Sequence, residues 1–224
     1  MSISFQLYSA RNYTPWSEVL TTLAQLGYTQ VEGFGPVYDD PAAFQAMLTE
    51  HGLNMPTGHF SLDSLEQDLS GVLAAAQTLG IHKIICPWIA PEQRPTESAG
   101  WQALAARLAV IGEQVRAAGY GFAWHNHDFE FKPCTDNGAI PMAILLDSVP
   151  ELEWEADIAW IVRGGAKPLD WIAQYGARIT VAHARTLLRP VNARMKMAGL
   201  ILATGWLTGR PLSPPCRLPV PACS

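Results

Sequence analysis

The sequence predicts an α/β protein, a parallel (β/α)8 barrel that stops one unit short, on three observations. An amphipathic helical stretch, a glycine and a short apolar run recur along the chain; the runs are apolar on both faces; and ligand-type residues stand at their carboxyl ends. With 49% hydrophobic residues, the 224-residue chain can bury one sizeable core. It is a little short of the roughly 250 residues of a full barrel.

The elements follow in order. ISFQLY opens the series as a strand. Trp16 to Leu26 has apolar residues at helical spacing, Gly27 suits the left-handed stop position, and TQVEGF is the next strand. Ala42 to Glu50 leads through Gly52 into NMPTGHF, and Leu65 to Leu79 leads through Gly80 into HKIICPW. The long helix Trp101 to Ala118 ends at Gly119 and gives GFAWHNH. Ile144 and its neighbours precede LEWEADIAW, and Leu169 to Tyr175 leads through Gly176 into RITVAH, the seventh strand. Strands separated by helices need crossover connections, which favours a parallel sheet, and helices on both sides account for strands apolar on both faces. A doubly wound open sheet would normally carry a glycine-rich phosphate loop after its first strand, and SARNYTP is not one.

Composition narrows the partners. A net charge of −5 without a Lys/Arg run excludes an electrostatic footprint for nucleic acid. The start MSISFQLYSARNYTP lacks a basic leader followed by a long apolar run, so neither signal peptide nor membrane anchor is read there. Cys86, Cys134, Cys216 and Cys223 form no CxxC pair and no disulfide framework, which fits a cytoplasmic protein. A homo-oligomer is left open.

In such folds chemistry collects where the strands end. Those ends carry Glu32, His59, Trp88, His125 with Asn126 and His127, Glu155 with Asp157, and His183. Glu155 and Asp157 are two apart on one strand and face the same way, inward in a barrel, where two carboxylates need a partner or a cation. His125 and His127 stand in the same relation. Imidazoles with carboxylates suit one divalent ion, Mn²⁺, Co²⁺, Zn²⁺ or Mg²⁺, without a thiolate. Taken singly, His59 reads equally well as a hydrogen-bonded structural residue and Glu32 as a salt-bridge partner at the barrel mouth. Trp88 and Trp160 read as packing residues, and Glu130 as a brace for its loop.

FAWHNHDFEF, followed by WEADIAWIVRGGAKPLDWIAQYGARITVAH, resembles the sugar phosphate isomerase/epimerase family, the xylose-isomerase-like TIM barrels related to endonuclease four. The similarity runs from Ser2 to His183, and its most specific parts are HNHDFEF and the D-x-x-W-x-x-R-G-G segment from Asp157 to Gly165. The resemblance implies a single divalent ion at the ends of strands five to eight, held by a glutamate or its substitute, an aspartate, a histidine and a final glutamate. It carries over to His125, Asp157 and His183 for the first three, with His125 where many relatives have glutamate. The histidine by which related endonucleases bind further metals is Trp160 here, against a trinuclear nuclease. The implied activity is isomerisation or epimerisation of a small sugar, sugar phosphate or keto-sugar, by proton transfer next to a carbonyl through a metal-stabilised enediolate. Proton transfer then falls to His125, Glu155 and the family's final glutamate, while Glu32, His59, His127 and Arg163 hold substrate hydroxyls or phosphate. A keto-inositol-type dehydratase and a non-catalytic remnant of the barrel are the alternatives.

From Ala184 onward the helix-glycine-strand grammar stops, acidic residues vanish, and prolines cluster between Pro211 and Pro221. The family instead continues with a Lys-Asp pair, an acidic loop, a Gly-His-Gly or Gly-Glu-Gly turn and an Asp-Trp. Joining the last base of each codon to the first two of the next recovers such text. Met195 with Lys196 must give Glu, Met197 with Ala198 must give Gly, and the junctions from Val191 to Gly209 permit ECKDEDGWADIGHGVADW. The expectation is therefore a barrel domain over residues 1–183 and an aberrant, frameshifted and poorly ordered tail over 184–224. Loss of strand eight and its glutamate would leave an unclosed sheet with two unpaired edges and impair activity. The apolar stretch Met197 to Leu207 is too short to span a bilayer.

Overall fold

Helix and strand alternate along the described residues, 2–184 and 200–203 of this computed structural model. β1 (Ser2–Gln6) leads to α1 (Trp16–Gln25), β2 (Gln30–Phe34), α2 (Pro41–Glu50) and β3 (Asn54–His59). Then come α3 (Leu62–Gln67), α4 (Leu69–Leu79), β4 (Lys83–Cys86), α5 (Ser98–Ala117) and β5 (Gly121–His125). α6 (Pro141–Ser148), β6 (Glu153–Asp157), α7 (Ile158–Arg163), α8 (Pro168–Tyr175) and β7 (Ile179–Ala184) complete the parallel part. These seven strands pair in chain order with helices between them, as in an incomplete TIM barrel.

Local chemistry sets the boundaries. α4 stops at Gly80, whose φ of 69° is a left-handed conformation that a side chain would strain. The single helix expected over Leu65 to Leu79 is broken at Asp68, because that carboxylate accepts from the Gly71 N–H at 3.0 Å and starts a new helix. LEWEADIAW is likewise only in part a strand. Asp157 accepts from the Trp160 N–H at 3.1 Å, which turns the chain into α7 straight after β6. The register between β2 and β3 shifts opposite Pro56, a residue with no N–H to give to the ladder.

Strand alternation then sorts side chains between two interiors. Phe122, Trp124 and Trp154 are fully buried. Phe122 reaches α5 at Gly112, where a Cβ would stand only 2.9 Å from its ring. The Trp154 ring meets Trp171 of α8 edge-on at 6.3 Å. The other set on β6, Glu155 and Asp157, is buried in the ring of strands with Glu32, His125 and His183. At the opposite end of the strands Lys83 bonds Glu153 and, at 2.8 Å, Thr180. None of the helices among the described residues is long and apolar enough to cross a membrane.

The expected unclosed sheet with two unpaired edges is corrected. β8 (Leu200–Ala203) lies antiparallel between β7 and β1, pairing Ala184 with Leu200 on one side and Phe5 with Leu200 on the other. Exposed strand edges carry unmet N–H and C=O groups, and an extended apolar tetrapeptide meets both rows. Its direction has a topological cause. A strand entering at the end where β7 finishes runs back down, whereas a parallel one needs a crossover to the far end first. The rest of the predicted aberrant tail lies outside the described residues.

In β8 each interior N–H serves one of its two neighbours, so a proline removes a ladder bond whichever side it faces. Leu202→Pro is expected to cost about 1–3 kcal/mol. Urea unfolding followed by far-UV circular dichroism measures it, and an unchanged midpoint contradicts the pairing.

Candidate functional site

Strands β3, β5, β6 and β7 each deliver one donor to a common point. His59, His125, Glu155 and His183 offer ligand atoms that all lie within 4.8 Å of one another. Glu155 is the hub. Its Oε2 lies 2.7 Å from His59 Nε2 and 2.9 Å from His125 Nδ1, and its Oε1 lies 3.2 Å from His183 Nε2. Glu32 from β2 stands beside it, with Oε1 at 3.0 Å from His59 Nε2 and 3.1 Å from His183 Nε2.

Both carboxylates are fully buried, and their position is set by neighbours that donate to them. Gln6 Nε2 donates to Glu32 Oε1 and Thr57 Oγ1 to Glu32 Oε2, each at 2.5 Å. Gln6 is itself held where the Tyr8 N–H donates to its Oε1 at 2.9 Å. Asn126 ties the ends of β5 and β6 together. Its Oδ1 accepts from Trp154 Nε1 at 2.8 Å and from the Asp157 N–H at 3.0 Å, while its Nδ2 donates to the Asp157 carbonyl at 3.1 Å. Glu130 braces the following loop, accepting from Trp124 Nε1 at 3.1 Å and the His127 N–H at 2.9 Å.

Burial and charge act against each other here. Burial pulls the His59 imidazolium down, but the carboxylates of Glu32 and Glu155 together hold it up at about 9. For His183 burial is likewise outweighed, chiefly by Glu155, and its value is raised well above the ordinary one. His125 goes the other way: burial and the charge of His183 push it down to about 4. Burial also opposes charge on Glu155, yet His183 and His59 hold its carboxyl well below the usual range. Burial pushes Glu130 up to about 8, against three N–H groups that favour its charged form, its own, that of His127 and Trp124 Nε1.

The four-residue group contains two of the three expected metal ligands, His125 and His183, with Glu155 and His59 added. Asp157 is outside it. One oxygen caps α7 and the other lies 3.6 Å from His183 Nδ1. His127 lines the mouth, its ring 5.0 Å from that of His125 and 5.1 Å from Trp160. Arg163, expected at the substrate, is exposed and stacks on Trp160 at 5.0 Å without lining the cavity. The four histidines border a cavity of about 1240 Å³ that continues between α2 and the α3–α4 segment. Two supporting residues, Thr57 and Gln6, escaped the sequence reading, and Asn126 was placed at a strand end without a role, although a signal existed for each. Thr57 is two residues before His59 on the same strand face, Gln6 ends the first strand, and Asn126 sits between two histidines.

No protein-family model matches this chain, and no curated protein does. Solved structures do match. A sugar phosphate isomerase/epimerase from Parabacteroides distasonis superposes with a TM-score of 0.73 at 20% identity, covering 86% of this chain and 77% of that one. This chain has the fold of the sugar phosphate isomerase/epimerases. The probable 3-DHS dehydratase AsbF from Bacillus anthracis matches at 0.66 and 17% identity, over 88% of this chain and 83% of its own. IOLI protein, solved with a binding zinc atom, matches at 0.67 and 12% identity, over 88% and 78%. Xylose-isomerase-like proteins and an AP endonuclease of family 2 share the same architecture.

Two outcomes follow from these interactions. His59, raised from 6.5 to about 9, contributes stability that is complete below pH 6.5 and lost as pH climbs to 9. His125, lowered to about 4, resists protonation in the folded state, so stability also falls as pH drops from 6.5 towards 4. In thermal unfolding, metal-free protein is expected to lose stability above pH 6.5, and a His59→Asn variant to shrink that decline while His183 and Glu130, both raised by folding, keep part of it. Glu130→Gln turns an N–H₂ towards a buried N–H and is expected to cost about 1–3 kcal/mol in chemical unfolding.

Proposed function

We propose that this chain derives from a divalent-metal-dependent isomerase or epimerase of a small sugar or keto-sugar, working by proton transfer next to a carbonyl. The observation that carries this is the convergence of three imidazoles and one carboxylate within 4.8 Å on the cavity floor. The donor set fits a single Mn²⁺, Co²⁺, Zn²⁺ or Mg²⁺, because imidazole and carboxylate without thiolate suit such ions. His59, Glu155 and His183 would hold it, leaving the lone pair of the neighbouring His125 free for a proton, with Asp157 orienting His183 from behind. When bound, the ion supplies Lewis acidity that polarises a carbonyl and stabilises negative charge on adjacent oxygens.

The chain's own residues do the rest. His125 faces the cavity and touches Glu155 Oε2 through Nδ1 at 2.9 Å. A proton taken by the imidazole from the carbon beside the carbonyl passes along this contact, and its return to the same or the neighbouring carbon completes epimerisation or isomerisation. Glu32 holds His59 and His183 in place, and His127 presents its ring to substrate hydroxyls.

The final glutamate of the resembled family has no counterpart in this reading, so the chain as it stands is impaired. Its source is the frameshift near Ala184. A dehydratase is the second reading, supported by the fold shared with AsbF, since proton removal beside a carbonyl also begins loss of water.

The test compares the chain as given with a version restored to the shifted frame. Plasma mass spectrometry of the restored protein is expected to find one divalent ion per chain, and ketose isomerisation or epimerisation to be detectable. Glu155→Gln in that protein is expected to weaken metal binding at least ~10-fold and abolish turnover. Unchanged metal and turnover would sink the assignment, and equal activity of the two chains would remove the impairment.

A further inference from the structure

The walls of the cavity differ in chemistry from its floor, and they bear on what kind of sugar enters. Tyr8, Phe34, Tyr38, Phe60, Trp88 and Trp160 line it. Two of these rings are open to solvent, Tyr8 at 51% and Trp88 at 43% exposure, and Tyr38 stacks on Phe60 with ring centres 4.3 Å apart. Large apolar rings left open to water inside a cavity are binding surface, and flat aromatic faces suit the C–H faces of a sugar.

Away from the histidine floor, the charged lining is of one sign. Asp39, Asp40, Asp63 and Asp68 line the cavity, and among the described residues no lysine or arginine does. Three arginines stack on aromatic rings near the mouth instead: Arg11 on Tyr8 at 4.1 Å, Arg94 on Phe129 at 3.8 Å and Arg163 on Trp160 at 5.0 Å. Arg11 also donates to the Tyr8 carbonyl and Arg94 to the Ile89 carbonyl.

Helix N-termini, the other common seat for a phosphate, are already filled. α2 begins at the cavity with Asp40 accepting from the Ala43 N–H at 2.9 Å, and Pro41 next to it has no N–H at all. α3 begins with Ser61 Oγ accepting from the Ser64 N–H at 3.0 Å, and α4 with Asp68 accepting from Gly71 at 3.0 Å. Two of the three caps are carboxylates, so a phosphate group would have to displace a negative charge and then sit beside others. The floor does not reverse this, since the charges of His59 and His183, or of a divalent ion in their place, offset two of the three carboxylates Glu32, Glu155 and Asp157.

We propose that the substrate is an uncharged polyhydroxylated ketose or polyol, and that phosphate esters and sugar acids are excluded by the acidic, self-capped wall between α2 and α4. This rests on the sugar-acting reading above and narrows it.

Binding separates the two without needing turnover. Trp88 and Trp160 line the cavity and report occupancy through their fluorescence. The full chain is titrated with D-fructose and with D-fructose 6-phosphate at low ionic strength, where unscreened charge acts most strongly. The free ketose is expected to bind at least ~10-fold more tightly than its phosphate ester. Asp39→Lys, at an exposed lining position that caps none of α2, α3 and α4, is expected to raise affinity for the ester by ~10-fold. Equal or tighter binding of the ester by the unaltered chain overturns the proposal while leaving the sugar-acting reading standing. A response to neither sugar overturns both. An Asp39→Lys chain with no gain for the ester overturns the electrostatic cause.

Discussion

The structure depends on the way fully buried negative charges are matched at the mouth of the ring of strands. Glu32, Glu155 and Asp157 have no solvent exposure, and a buried carboxylate is tolerated only when paired and hydrogen-bonded. His59 and His183 supply the opposing charge, Gln6 and Thr57 fill further lone pairs on Glu32, and Asn126 fixes the backbone at Asp157. The same opposition explains why the three imidazoles differ. Two sit between carboxylates and retain their protons, while for the third burial and the positive His183 outweigh its contact with Glu155. Four ligand-type groups within 4.8 Å are thus stable without an ion, yet each keeps an atom suited to one.

Closure of the sheet follows a different rule, that of backbone hydrogen bonding. Seven parallel strands leave β1 and β7 as edges, and the described part of the tail satisfies them with an antiparallel strand of four residues. Backbone pairing needs only extended geometry and the absence of proline. It does not need the side chains that an eighth parallel unit would bring to the mouth. A ring can in this way be completed while its chemistry is not, which is why the closure of the strands and the proposed impairment are compatible.

Around this mouth the helices α2, α3 and α4 contribute through their first turns. Each is capped by its own side-chain oxygen, and two of the caps are carboxylates. A cap that stabilises a helix also sets the electrostatic character of the space it faces. Here the aromatic rings and the acidic caps lie on the same cavity, and the arginines nearest it are occupied with ring faces and carbonyls.

Much of the fold was legible in the sequence because its signals are local. Helical spacing, a terminating glycine and a short apolar run each span a few residues, so Gly80 after Leu79 and the alternation at Glu155 and Asp157 were readable without any distant partner. The limits appeared where a side chain intervenes in its own backbone, as when Asp68 splits a helix and Asp157 ends β6 by capping α7. The chain alone determined which residue types stand at the strand ends, and that includes every member of the four-residue group. Only the tertiary structure decided which of them meet. His59 joins Glu155 across 96 positions and His183 joins Glu32 across 151. Alternation tells which face of a strand a side chain takes, but not its height relative to other strands. That height is set by strand register, including the shifts at Pro56 and between Trp154 and Glu155, so His59 rather than Asp157 falls into the common group.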